Sequence, residues 1–177
     1  MSTLTTMGRP EPQESLAYYH RYIEKVTNEP LDQQLTEQVR ELEQLFDNVT
    51  DRAALSRYAE GKWSIKEILG HLSDVERIFG YRLLRIARGD TTPMAGFDEN
   101  AYVPTGRFDD RPLPMLLAEF RAVRQSTAAL IEGLPADAWE RRGVANNQSI
   151  SARALAYVIV GHVTHHLRVL QERYGLR

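Results

Sequence analysis

The 177-residue chain contains no cysteine. Disulfides, thiolate metal ligands and a cysteine nucleophile are excluded together, and any thiol chemistry needs a thiol brought by a second substrate. Neither sign of charge dominates: the net charge is −2, and the charges are mixed along the sequence. That leaves no electrostatic footprint for nucleic acid or for an anionic lipid surface. Long apolar runs are missing too. The longest, 154–163, is interrupted by Tyr157 and His162 and is too short to span a bilayer. Residues 1–14 are polar and proline-containing, with no basic-then-apolar stretch of the signal-peptide kind. These absences predict a cytoplasmic protein with no nucleic-acid or membrane partner. We expect a flexible segment over 1–14 and a single domain over 15–177.

Several catalytic signatures are also absent. There is no glycine-rich phosphate loop, nucleophile elbow or haem-attachment motif. Val163 follows His162, so the zinc-protease His-Glu-x-x-His arrangement is ruled out. No Glu-x-x-His pair lies on a predicted helix, which argues against a carboxylate-bridged di-metal bundle.

What the chain does have is helical periodicity and 42% hydrophobic residues, enough for one substantial core. Four segments repeat apolar residues at spacings of three and four. The first runs through Leu35, Val39, Leu42, Phe46 and Val49; the second through Ile65, Ile68, Leu72, Val75, Phe79, Leu83 and Ile86. The third runs through Leu113, Leu116, Phe120, Val123, Thr127 and Leu130, and the fourth through Leu155, Ile159, His162, His166 and Val169. A second row on the fourth segment (Ala156, Val160, Val163, Leu167, Leu170) implies deep burial or a homodimer face. No strand-like alternation is sustained, so the predicted fold is an all-α four-helix bundle.

The punctuation agrees with these boundaries. Ser64-Ile65-Lys66-Glu67 is a capping box, Pro112 and Pro114 suit a first turn, and Ser149 or Ser151 can cap the last helix. Gly89 and Gly175 stand where C-terminal caps belong. Short links are expected between the first and second helices and between the third and fourth, with an extra turn at 135–139. The 88–111 segment, rich in Gly, Pro and Asp, is long enough to cross the bundle and make the second and third helices parallel. A short extra helix is expected over 15–26, with Tyr18, Tyr19 and Tyr22 across one end of the bundle.

The chemistry of interest sits in Gly161-His162-Val163-Thr164-His165-His166. His162 and His166 are four apart and share one helical face, so both can reach one divalent ion. His71 lies beside the apolar stripe of the second helix, and two helices can therefore aim three imidazoles at one point. The plain alternative is that each is a core histidine satisfied by a carbonyl. His165 is rotated about 100° from His166 and should not share the same ion. Glu67 and Asp74, one turn either side of His71, are candidates to orient an imidazole or to act in acid-base chemistry, Asp74 the stronger of the two.

Two stretches carry a family resemblance. Trp63-Ser64-Ile65-Lys66-Glu67-Ile68-Leu69-Gly70-His71-Leu72-Ser73-Asp74-Val75-Glu76 resembles the second-helix signature of the DinB/YfiT-like superfamily, and Gly161-His162-Val163-Thr164-His165-His166-Leu167 resembles its fourth-helix signature. The similarity spans about residues 30–174. It implies an up-down-down-up bundle in which His71, His162 and His166 bind one divalent metal ion. Nickel or zinc is the leading candidate, with iron, manganese or copper as further possibilities. It also implies a small-molecule substrate. One expectation is a transferase that activates a low-molecular-weight thiol, such as bacillithiol or mycothiol, for attack on an electrophile. A metal-dependent hydrolase or isomerase using water is the alternative, and a non-catalytic stress or interaction module the third. No obvious Arg/Lys cluster marks a thiol-cosubstrate site; Arg82, Arg85, Arg107 and Arg153 are the candidates, with surface solvation the plain alternative for most, and 88–111 is the candidate pocket wall.

Overall fold

The computed structural model describes residues 7–177. Six helices follow in order: α1 (Ala17–Ile23), α2 (Leu31–Phe46), α3 (Ile65–Ala87), α4 (Glu99–Gly106), α5 (Leu113–Glu132) and α6 (Ala152–Tyr174). The four long ones, α2, α3, α5 and α6, are the four periodic segments. Their start signals act as the sequence implies. The Ser64 side chain accepts from the Glu67 backbone N–H while the Glu67 carboxylate accepts from that of Ser64, and Ser151, not Ser149, caps α6 through the Ala154 N–H. None of these helices is long and apolar enough to cross a membrane.

Cross-helix contacts fix the topology. Glu76 pairs with Arg124 and Gly80 lies against Thr127, so α3 and α5 run parallel. Gln38 meets Arg124 and Glu43 meets Arg121, so α2 and α5 are antiparallel. His71 meets His162 while Trp63 meets Tyr174, so α3 and α6 are antiparallel. The order is up-down-down-up. Each of α2 and α3 packs on both α5 and α6, so α2 and α3 are diagonal to one another. The 47–64 link must therefore cross the bundle end, and it is not the short link expected from the sequence. It carries a 3-10 turn (Ala53–Leu55) and is pinned by Asp51, which accepts from the Leu113 N–H and pairs with the buried Lys66 at 2.5 Å.

The third-to-fourth link is likewise longer than expected. After a 3-10 turn (Ala136–Glu140) come two short antiparallel strands, β1 (Arg142–Ala145) and β2 (Gln148–Ser151). Asn146 and Asn147 take positive φ of 51° and 60°, the two-residue turn that matches strand twist. The hairpin holds the crossover: Met94 donates to the Val144 carbonyl and accepts from the Asn146 N–H. The crossover itself is ordered, with α4 and a 3-10 turn (Phe108–Asp110) inside it.

Residues 1–6 of the segment expected to be flexible lie outside the described residues. Over 7–14 the chain lies on the bundle: the Arg9 guanidinium donates to the Ile23 and Val26 carbonyls, and buried Glu14 accepts from Ser151 and Arg153. α1 packs against the middle of α6 rather than across a bundle end. The contact is backbone to backbone at Gly161, where an added Cβ would stand 2.0 Å from the Tyr22 carbonyl oxygen. The second apolar row of α6 is buried within the chain itself, Ala156 and Val160 in the core cluster that includes Tyr22 and Ile23 of α1, and Val163, Leu167 and Leu170 in the cluster with α2, α3 and α5.

Candidate metal centre

His71, in the second turn of α3, and His162 and His166, one turn apart on α6, meet between the two helices. Each is at least nine-tenths buried. The Nε2 atoms of His71 and His162 are 3.1 Å apart, and one nitrogen from each ring lies within 4.8 Å of the others. The tetrahedral edge between imidazole nitrogens around zinc is about 3.3 Å, from Zn–N bonds of about 2.05 Å. Among the described residues this is the one group of three histidine or carboxylate side chains so arranged.

Local sequence brings the rings together. Gly161, beside His162, lets α1 lie directly on α6, and Gly70, beside His71, admits the Phe108 ring where any Cβ would clash. Trp63 stacks on His71 with ring centroids 4.6 Å apart, and Tyr22 stands edge-on to His162 at 5.3 Å. The packing is aromatic, and it shifts the imidazoles' titration. Burial pulls His71 down to about 4, with the nearby His165 charge adding to the effect. Burial also holds His162 and His166 well below the usual imidazole range, helped by the neighbouring histidines. All three are neutral at pH 7, the form that ligates a metal.

The reading of core histidines capped by carbonyls fails on the geometry. The rings face one another instead, and the buried Nδ1 of His166 has no hydrogen-bond partner among the described residues. Three convergent neutral imidazoles with an orphaned ring nitrogen fit a divalent cation, and nitrogen ligands alone leave zinc, nickel, iron and copper all acceptable.

The cluster opens onto a cavity of about 470 Å³. Its walls come from α1 (Tyr18, Tyr19, Arg21, Tyr22), from α3 (Val75, Phe79, Arg82), from the crossover (Gly96, Phe97, Glu99) and from Asn146 of the hairpin turn. The 88–111 segment thus supplies part of the wall. His165 is half-buried on the same wall, 5.7 Å from the Tyr22 ring, and stands outside the three-nitrogen cluster.

Asp74 is not brought to the cavity. It faces α5, 3.6 Å from Arg77 and near Glu119 and Arg111, and burial raises its pKa. Glu67 is occupied by the capping box and by Arg57 at 2.9 Å. Of the four arginines singled out in the sequence, Arg85, Arg107 and Arg153 are paired with Asp90, Asp110 and Glu14 respectively. Arg82 alone lines the cavity.

Sequence reasoning missed a buried polar network next to this centre. Arg124 donates to Glu76 and to Gln38, both at 2.8 Å, and Gln38 donates to the Val160 carbonyl and the Thr164 hydroxyl. This ties α2, α3 and α5 to the turn of α6 that carries His162.

Comparison with known proteins accords with the geometry. The sequence profile of the DinB superfamily matches residues 34–170. The chain belongs to the DinB superfamily. A protein of Bacillus pumilus bearing the name "Putative metal-dependent hydrolase" is 24% identical over 161 residues, covering 85% of this chain and 88% of that protein. The structure of YfiT from Bacillus subtilis, described as a probable metal-dependent hydrolase with an unusual four-helix bundle topology, superposes with a TM-score of 0.74. That match is 20% identical and covers 99% of each chain. The likeness in fold to YfiT thus extends beyond the 34–170 core of the family match.

Proposed function

We propose that this DinB protein is a metal-dependent hydrolase of a small organic molecule, with His71, His162 and His166 as the ligands of one divalent ion. The observation that carries the reading is the three buried, neutral imidazoles converging at the floor of an open cavity. Three protein ligands beside an open space is the arrangement of catalytic rather than structural zinc sites. When bound there, a divalent ion supplies Lewis acidity and lowers the pKa of water or another acid next to it. The chain's own residues do the rest. Trp63, Tyr22 and Phe79 pack around the imidazoles and keep bulk water from their flanks. The mixed aromatic and polar walls hold the substrate body. The names of the Bacillus pumilus relative and of YfiT support hydrolysis over other metal chemistry.

One observation favours a second reading, transfer of an external thiol. Among the described residues no Asp or Glu joins the three histidines, and Glu99 is the sole carboxylate on the cavity wall. A thiol, with a pKa of about 8.5, gives up its proton to a divalent ion without such a base, whereas water gains most from one.

The deciding experiment is an ester and amide panel run on zinc- and nickel-loaded protein with and without added thiol. Turnover without thiol that disappears in His71→Ala supports the hydrolase. Turnover that requires thiol and yields a thioether selects the transferase, and no turnover under either condition overturns both.

A further inference from the structure

Among the described residues three lysine or arginine side chains are buried, and two of them are matched. Lys66 pairs with Asp51 at 2.5 Å and Arg124 with Glu76 at 2.8 Å. The third, Arg82, is 3% exposed. Its Nη2 donates to the Ala95 carbonyl at 2.7 Å, and no carboxylate stands within 4 Å of it among the described residues. Residues 1–6 contain neither Asp nor Glu. Glu99 shares the cavity wall but lies beyond ion-pair distance. A buried guanidinium without a counter-charge is costly, and it persists where something else supplies the charge.

The surroundings say where that charge comes from. The Arg82 guanidinium carbon sits 5.5 Å from the Phe97 ring centroid and 5.9 Å from that of Phe79, and these rings stand 6.4 Å apart at 72°. The Phe79 ring is in turn 6.1 Å from that of His162. His71, Val75, Phe79 and Arg82 follow spacings of four, four and three along one face of α3, covering about 16 Å of helix axis. The arginine arm leans back toward the helix N-terminus, shortening that span. From Arg82 to the histidine cluster the cavity therefore offers a cation, an aromatic surface and a metal site in line.

We propose that Arg82 anchors a carboxylate of the substrate, so that the pocket takes a small organic acid whose flat apolar body lies on Phe79 and Phe97 and whose reacting group points to the histidines. The inference rests on the cavity being the reaction site argued above. A planar guanidinium fork matches a carboxylate in two parallel hydrogen bonds. One such group neutralises a monoanion. A phosphate dianion would keep an uncompensated charge against aromatic rings and Glu99, since Arg21 is exposed and already stacked on Tyr18 and bonded to the Tyr22 hydroxyl.

The test is calorimetric titration of zinc-loaded protein with N-benzoylglycine, its neutral amide N-benzoylglycinamide, and phenyl phosphate. Wild type should prefer the carboxylate over the amide by about tenfold or more, the scale of a charge-assisted hydrogen-bonded pair. Arg82→Met should lose that preference with zinc content unchanged. Should Arg82→Met fail to fold, Arg82→Lys should retain the preference in weakened form. His162→Ala, which removes the metal site, should keep the preference. Equal binding of carboxylate and amide by wild type, tighter binding of phenyl phosphate, or a preference that survives Arg82→Met but vanishes with the zinc each overturns the assignment. A preference that follows Arg82 in a protein lacking hydrolase activity leaves this inference standing and removes the hydrolase reading alone.

Discussion

Replacing Glu76 by Gln tests how the bundle holds together around the three-histidine cluster. Glu76 and Arg124 are each 2% exposed at the side chain and 2.8 Å apart. The substitution keeps the shape and removes the negative charge, so Arg124 is left buried without compensation. Burial raises the Glu76 pKa and lowers that of Arg124, while each partner's charge offsets the shift of the other. Breaking a buried pair from one side costs about 3–5 kcal/mol. Neither group is exposed, so solvent screening does not discount that figure. For a chain of this size the melting temperature should fall by about 6–20 °C, at about 2–4 °C per kcal/mol. The assay is urea and thermal unfolding in chelator, which removes metal binding from the measurement. Glu76→Leu combined with Arg124→Met removes both charges. It should return to within about 1–3 kcal/mol of wild type, the remainder being the Gln38 carbonyl left without its donor. A Glu76→Gln loss below about 1 kcal/mol, or a double variant no better than the single, would show that Glu76 does not compensate a buried Arg124 charge.

Two further outcomes follow from the packing and the titration. Gly161→Ala places a Cβ 2.0 Å from the Tyr22 carbonyl oxygen; because that atom is backbone, α1 must move off α6, at a cost of about 1–3 kcal/mol. Limited proteolysis should then cut near α1 faster than in wild type, and unchanged protection would contradict the contact. The metal-free protein should also lose stability as pH falls from about 6.5 toward 4. His71 has a folded pKa of about 4 against an ordinary value of 6.5, and His162 and His166 are also held well below that ordinary value. The unfolded chain therefore binds more protons in that window. Each histidine contributes a slope of up to about 1.4 kcal/mol per pH unit, and a flat stability profile between pH 4.5 and 6.5 would contradict their burial as neutral rings.

The four long helices were legible because one face of each is apolar at helical spacing, and the three histidines because two lay on one stripe and the third beside another. The α5 stripe reads differently in the structure. Its buried face passes through Phe120, Arg124, Thr127 and Ile131 rather than through Val123 and Leu130. An arginine looks like a solvent residue until its partner is known, and Glu76 lies 48 residues away. The hairpin was missed although Asn146-Asn147 between Val144 and Ile150 carried a two-residue turn signal; strands of four residues are too short for alternation to stand out. The placement of Tyr22 over His162, and of Arg82 without a counter-ion, depends on packing between segments far apart in sequence. No local pattern encodes it.

His71, His162 and His166, without His165, are assigned as one divalent-metal site. Elemental analysis of purified wild type and of the four single alanine variants tests it most directly. About one divalent ion per chain is expected in wild type and in His165→Ala, with loss of the ion in His71→Ala, His162→Ala and His166→Ala. Loss of the ion in His165→Ala, or its retention in any of the other three, would contradict the assignment.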